Sequence, residues 1–458
     1  MFTVLIQTLG CKLNQLESEA VAEAFGKSGF TLCKPSSGAS PSVIVINTCT
    51  VTSKADQKAR RVIRKALRDY PESCVLVTGC YAGLNKEDLL KLESNGGRRL
   101  FVFNKEDILK LPQYFCDKDN NFDADGIINK LKIINEQLSE NFEQRQENRE
   151  DVFQFNPSQF SVHTRGLLKI QDGCDKHCTY CRIRLARGQS VSLDAKTALE
   201  RLRILEENHA EAVLTGVNIC QYRDEKNAAS LARLLEYLLS GTEKIALRLS
   251  SLAPESIDEN FANVLSHKRI RPHFHLSIQS GSKKVLEKMG RNYNANTIEE
   301  AIALLRRAKG DPFLACDIIT GFPGETEVEF EETYNLCKKT GFAWIHVFPY
   351  SKRPGTPAWS FPGTVQEKEV SRRVRLFTDL ANQGRADYVR RWLGRETDVL
   401  VEKGGGKHCH GVSENYLKLL VKYNGEKPPP PGSVLRCKLL GAEKTGDFDA
   451  VAETVNFS

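Results

Sequence analysis

The chain has 458 residues, with 65 Lys and Arg against 58 Asp and Glu, a net charge of +7, and 14 cysteines. That length suits two or three domains with their own cores, and the ordinary charged and apolar fractions exclude disordered and collagen-like classes. No apolar run approaches the roughly 18 residues that cross a bilayer, and the first residues lack the basic start and cleavage site of a secretory leader.

Residues 1–116 alternate short apolar strands with helical patterns: strands at 2–8, 43–47 and 74–78, helices at 17–28, 54–68 and 86–92. This β-α-β-α rhythm predicts a parallel α/β domain. Residues 117–161 differ. Between 117 and 156 lie ten acidic and five basic residues, a net of −5 that leaves +12 for the rest. This segment reads as an acidic linker or insertion, helical near 127–138. A basic body suits a polyanionic partner. Residues 162–386 resume the strand–helix rhythm, with strands at 167–171, 212–215, 246–250, 273–278, 314–319 and 344–349. Six such units predict a partial (β/α)6 barrel, with its chemistry at the carboxyl ends of the strands. Residues 387–458 hold short strands separated by Gly404-Gly405-Gly406 and Pro428–Pro431 and read as a small β-barrel. His408, Cys409 and His410 read as a loop rather than a metal site.

Fourteen cysteines in a long, otherwise average chain point to a reducing compartment and to metal or cluster ligation rather than a disulfide scaffold. The expected location is the cytoplasm. The sharpest motif is Cys174, Cys178 and Cys181 within Gly173-Cys174-Asp175-Lys176-His177-Cys178-Thr179-Tyr180-Cys181. Three thiolates at these spacings can wrap one face of a cubane and leave one iron open for a chelating substrate. The motif follows the first barrel strand. Zinc is the rival reading, but zinc sites usually take four ligands in paired arms, and no second arm is visible.

Cys11, Cys49 and Cys80 are distant in sequence but each lies just beyond a predicted strand, and Cys11 and Cys80 directly follow a glycine. If the strands are parallel neighbours, the three thiols collect at one sheet edge, where α/β folds bind ligands. By spacing alone they read equally well as buried cysteines at loop starts. Cys33, Cys74, Cys116, Cys220, Cys316, Cys337, Cys409 and Cys437 lack partners at ligand spacing and read as structural.

The segments Gln171-Asp172-Gly173-Cys174, Cys178-Thr179-Tyr180-Cys181, Ala186-Arg187-Gly188, Leu214-Thr215-Gly216-Val217-Asn218, His275-Leu276-Ser277-Ile278-Gln279-Ser280-Gly281-Ser282 and Gly321-Phe322-Pro323-Gly324-Glu325-Thr326 together resemble the methylthiotransferase branch of the radical S-adenosylmethionine (SAM) superfamily. Thr8-Leu9-Gly10-Cys11, Asn47-Thr48-Cys49 and Gly79-Cys80-Tyr81 resemble the cysteine signatures of its N-terminal domain. Locally, Arg182 and Arg184 depart from the apolar residue and proline common in the family, and Ala253 from an acidic one.

The resemblance implies two [4Fe-4S] clusters, one on Cys174, Cys178 and Cys181 and one on Cys11, Cys49 and Cys80. It implies SAM bound near Tyr180, Thr215, Gly216, Asn218, Gln279, Ser280, Gly321 and Gly324, although single glycines there also suit plain strand-to-helix turns and Tyr180 suits local packing. It implies a one-electron reductant such as flavodoxin or ferredoxin, and a deoxyadenosyl radical that removes hydrogen from an adenine carbon before methylthio transfer. The tail resembles TRAM, an RNA-binding barrel.

Gly10-Cys11-Lys12-Leu13-Asn14 is most similar to the MtaB type of the family, which acts on N6-threonylcarbamoyladenosine in tRNA. The isopentenyladenosine type, the ribosomal-protein type and a non-catalytic iron–sulfur RNA-binding protein are the rivals. A monomer without a membrane partner is expected. The basic helix at 54–68 suits phosphate contacts or, equally, a plainly solvated face, and a further basic run, Arg372, Arg373, Arg375, Arg385, Arg390, Arg391 and Arg395, leads into the tail barrel.

Overall fold

A computed structural model describes residues 2–33, 40–93, 99–115, 124–140, 149–157, 164–224, 229–405, 408–423, 425, 427–442 and 448–455. The chain divides into two units: residues 1–161, 172–176 and 181–191, and residues 162–171, 177–180 and 192–458.

The first unit is built on a five-stranded parallel sheet in the order Thr31–Leu32, Thr3–Thr8, Val43–Thr48, Cys74–Gly79, Leu100–Val102. Val43–Thr48 and Cys74–Gly79 are buried at every position. That is the pattern of central parallel strands covered on both faces. On one face the helix Lys12–Lys27 packs Val21 and Phe25 against Val45 and Leu76. On the other the helix Ser53–Asp69 packs Ala59, Ile63 and Ala66, at i, i+4 and i+7, against Ile44, Ile46 and Val77. The first helix starts five residues before its expected position because Cys11, in extended conformation, serves as its N-cap. The expected linker contributes core: the helix Ala124–Glu140 lays Ile127, Leu131 and Ile134 into the same cluster as Phe25 and Phe101.

The second unit carries six parallel strands in two three-stranded sheets. One has the order Ala246–Leu249, Glu211–Thr215, Gly166–Lys169, and the other His273–Gln279, Phe313–Thr320, Trp344–Pro349. Parallel bridges Leu247–Ile270 and Leu252–Leu276 link the two sheets, as expected of an open β/α barrel. The helix Glu367–Trp392 runs unbroken into a closed five-stranded barrel, ordered Glu396–Gly405, His408–Ser413, Lys418–Lys422, Ala450–Thr454, Val434–Ala442. His408, Cys409 and His410 lie on a barrel strand rather than a loop, with Cys409 buried in the barrel core.

A buried ion network joins the two barrels. Arg248 Nε donates to Glu211 Oε1 at 2.7 Å, Arg271 Nε donates to Glu211 Oε2 at 3.0 Å, and the Arg248 guanidinium lies 5.1 Å over the Tyr416 ring. Burial works against the Glu211 charge, but Arg248 first, then Arg271 and Arg165, hold its carboxyl down to about 2. Among the described residues no helix is long and apolar enough to cross a membrane.

Candidate functional site

Sheet register gathers the three dispersed cysteines of the first unit. Thr8 pairs with Asn47 and Thr48 with Gly79, so Cys11, Cys49 and Cys80 leave three adjacent strands at one carboxyl edge. Adjacent strands lie about 4.8 Å apart. Glycine is required before two of the thiols. At Gly10 (φ +119°) an added Cβ would lie 2.7 Å from Cys49 Cβ and 3.2 Å from its Sγ, and at Gly79 (φ +100°) it would overlap the Thr48 backbone. Asn14 ties the loops together: its amide donates to Leu9 O at 2.9 Å and Thr48 O at 3.0 Å, and the Cys11 thiol donates to its carbonyl at 3.6 Å. Cys11 is exposed, while Cys49 and Cys80 are buried. Burial pushes the Cys49 thiol up to about 11; the Val51 N–H pulls against this, and Cys11 and Cys80 add to it.

Cys80 has a distinct environment. Arg187 Nε donates to its sulfur at 3.2 Å and Lys105 Nζ at 3.5 Å. Arg187 is bound in turn to Asp172 Oδ2 at 2.9 Å and Glu17 Oε1 at 2.9 Å, and Lys105 to Glu17 Oε2 at 3.0 Å. The Arg187, Glu17 and Asp172 side chains are 4, 2 and 6% exposed. Burial opposes the Arg187 charge, but Asp172, Cys80 and Glu17 outweigh it and raise its pKa. The same contest raises Lys105: burial and Arg187 oppose its charge, and Cys80, Glu17 and Asp172 prevail.

No group of three His, Cys, Asp or Glu side chains among the described residues is set to hold a single metal ion. An iron–sulfur cubane spreads its thiolates over separate irons, and three sulfurs on adjacent strand ends fit that requirement.

The contiguous motif divides between the units: Cys174 and Cys181 group with the first, Cys178 with the second. In the first unit Cys174 N donates to Gly188 O at 3.0 Å, and Gly173 (φ +71°) has no room for a Cβ beside Gln189. In the second, Thr179 N donates to Met289 O at 3.1 Å and its hydroxyl to Lys288 O at 2.7 Å. Tyr180 accepts from Arg291 at 2.8 Å and meets Phe322 edge-on at 6.5 Å, which locks its ring.

The remaining sequence candidates sit at strand ends of the second unit, with different environments. Buried Gln171 accepts from Asn218 N at 2.8 Å, and a Cβ at Gly216 would come 2.8 Å from the same Gln171 oxygen. Thr215 is buried, its carbonyl bonded to Ile170 N. Gln279 ends its strand at φ +65°, one of two non-glycine residues with positive φ among those described. Such strain costs on the order of 1–3 kcal/mol and collects at functional sites. The Ser280 hydroxyl is turned to Thr333, 3.0 Å away, so it secures the helix Glu327–Thr340. Gly321 (φ +77°) donates to the Glu325 carboxylate, which also receives Arg373 at 2.9 Å; Gly324 (φ +74°) donates to Gly363 O at 2.6 Å.

The two basic runs separate clearly. On the helix Ser53–Asp69, Lys54, Lys58, Arg61, Arg64 and Lys65 are exposed and have no acidic partner among the described residues. On Glu367–Trp392 most charges are consumed: Arg373 is buried against Glu325, Glu327 and Glu369, Arg372 pairs with Glu369, Arg385 with Asp449, and Arg391 with Asp311. That second run is therefore scaffold rather than open phosphate-binding surface.

Sequence reasoning quoted Asn14, Gln171, Asp172 and Arg187 only as motif letters and missed Glu17 and Lys105. Lys105 lies 25 residues beyond Cys80, and no local spacing links the two.

Residues 168–337 match the Radical SAM superfamily, and residues 3–96 match Uncharacterized protein family UPF0004. Threonylcarbamoyladenosine tRNA methylthiotransferase MtaB of Treponema pallidum (strain Nichols) is 38% identical over 96% of this chain and 98% of its own length. The protein of the same name from Bacillus subtilis (strain 168) is 32% identical over 99% and 98%. A tRNA-2-methylthio-N(6)-dimethylallyladenosine synthase from Francisella philomiragia subsp. philomiragia is 29% identical over 93% and 93%. Membership of the radical SAM group brings a [4Fe-4S] cluster and SAM as cofactors. With both family matches and full-length relatives above 30% identity, this chain belongs to the radical SAM methylthiotransferase family, in its MtaB group.

Proposed function

We propose that this enzyme converts N6-threonylcarbamoyladenosine next to the anticodon of tRNA to its 2-methylthio derivative, in the cytoplasm, as a monomer. In this reading residues 1–116 form the auxiliary-cluster domain, 162–386 the radical SAM domain and 387–458 a TRAM-like RNA-binding domain. Two [4Fe-4S] clusters are held, one by Cys11, Cys49 and Cys80 and one by Cys174, Cys178 and Cys181. When bound, these groups supply the electron that cleaves SAM to a carbon radical and the sulfur that is transferred. The chain's own part is to ligate, orient and exclude water.

The observation that carries the reading is the second thiol trio, gathered at adjacent strand ends in addition to the contiguous motif. Gln171 fixes the Gly216–Asn218 turn, and Arg291 fixes Tyr180, so SAM would meet a preset wall of Thr215, Gly216, Asn218 and Gln279. Gly321 and Gly324 give that wall close backbone approach, while Ser280 supports it from behind. The exposed cations of Ser53–Asp69 suit tRNA phosphates. The substrate choice is supported by Gly10-Cys11-Lys12-Leu13-Asn14 and by the higher identity to relatives named for threonylcarbamoyladenosine. Electrons come from a one-electron reductant such as flavodoxin or ferredoxin.

Mass spectrometry of tRNA nucleosides from a deletion strain tests this. Loss of 2-methylthio-threonylcarbamoyladenosine, restored by the gene, is the expected result. Unchanged levels in a strain without a paralogue would remove the proposal, and loss of the isopentenyladenosine derivative instead would reassign the substrate.

A further inference from the structure

Among the described residues, only one of the three strand-end thiols receives cationic donors. Arg187 Nε and Lys105 Nζ reach Cys80 Sγ at 3.2 and 3.5 Å, whereas the hydrogen-bond neighbour of Cys11 Sγ is the neutral amide of Asn14 at 3.6 Å. Neither cation is a loose surface group. Arg187 is clamped by Asp172 and Glu17, and Lys105 by Glu17, all within the first unit. Holding two cations and two carboxylates out of water carries a desolvation cost that their mutual pairing must offset. The positions nearest the sulfur are nevertheless N–H donors, not carboxylate oxygens. Donors to a ligating thiolate, together with the net charge around a cluster, are the main protein controls on its reduction potential.

We propose that Arg187 and Lys105 are positioning residues for the auxiliary cluster: their N–H groups hold the Cys80 thiolate and raise that cluster's reduction potential. This rests on the reading that Cys11, Cys49 and Cys80 ligate a cluster. The physical reason is differential. Each added electron increases negative charge on the ligating sulfurs, so a fixed cationic donor at Cys80 stabilises the reduced form more than the oxidised one. The Asp172 and Glu17 clamp fixes the donor direction before any metal arrives.

The test uses the full chain with Cys174, Cys178 and Cys181 all changed to alanine, so that iron can load only at the strand-end trio. Iron per chain is measured first, then the reduction potential by a spectroscopically monitored redox titration. The expected result is a cluster that loads fully in the parent. Arg187→Gln should move its potential downward so that, at a fixed applied potential, the reduced-to-oxidised ratio falls at least tenfold, about 59 mV for one electron. Lys105→Met should move it the same way by less, and Arg187→Lys should recover part of the shift. Unchanged potentials in fully loaded variants overturn the proposal. A parent that binds no iron overturns the cluster reading itself, before any potential is measured. If Arg187→Gln does not fold, Lys105→Met decides.

Discussion

In the proposed reading, the two cysteine trios meet the same chemical demand by opposite routes. Cys174, Cys178 and Cys181 occupy eight consecutive residues, so chain connectivity alone keeps them together. Cys11, Cys49 and Cys80 depend on a five-stranded sheet to bring three distant segments to one edge. A local trio survives modest changes in its scaffold, whereas a trio assembled by sheet register inherits every demand of that register. Gly10 and Gly79 show those demands, since a side chain at either would strike the neighbouring strand end.

The comparison breaks most directly at the thiols. Replacing Cys174, Cys178 or Cys181 with alanine should abolish deoxyadenosine formation from SAM under reducing conditions. Replacing Cys11, Cys49 or Cys80 should retain deoxyadenosine formation but abolish methylthio product, both read by chromatography of one reaction. Identical outcomes for the two sets would erase the distinction.

A smaller effect separates the scaffolds. Gly79→Val should remove about half of the reconstituted iron, the share of the strand-end trio. Gly290→Ala, at a left-handed helix end where a Cβ would sit 3.0 Å from His177 O, should cost stability of about 1 kcal/mol with iron retained. Equal iron in the two variants counts against dependence on register.

A third arm tests stability without touching either trio. Glu211→Gln leaves the buried Arg248 and Arg271 charges poorly compensated and should destabilise by about 3–5 kcal/mol, read by thermal melting at neutral pH. Glu211 has its carboxyl held down to about 2 from an ordinary 4.5. Its contribution is therefore fully present above pH 4.5 and disappears as pH falls toward 2. The variant should lose less stability than the parent across that acid window, with iron content at neutral pH unchanged.

The smallest effect concerns RNA. Single charge removals at Lys58 or Arg64 should weaken tRNA binding evenly across sequences and lower the salt slope by about 1, measured by filter binding at several salt concentrations. Arg390→Gln, on the helix whose cations are paired internally, should leave the slope unchanged.

These contrasts also explain what could be read from sequence. Strand and helix positions were legible because residues 43–46 and 74–77 are continuous apolar runs, and because Ala59, Ile63 and Ala66 recur at helical spacing. The six barrel strands were legible for the same reason. The apolar helical stretch of the insertion was legible near 127–138, but not that its Ile127, Leu131 and Ile134 complete the first core, because packing partners are not written in local periodicity. The pairing of the basic run on Glu367–Trp392 was not legible, since charge counted along a sequence does not reveal partners such as Glu325 and Asp449. Lys105 and Glu17 were invisible because their relevance arises only where distant segments meet.

The first unit owns residues 172–176 and 181–191 as well as the amino-terminal stretch, so its scaffold is discontinuous in the gene. A recombination breakpoint after residue 161 would carry away Asp172 and Arg187 and leave Glu17 with Lys105 alone. An amino-terminal half inherited by itself would thus bring three thiols without the guanidinium that contacts one of them. A single crossover therefore cannot transplant this module whole.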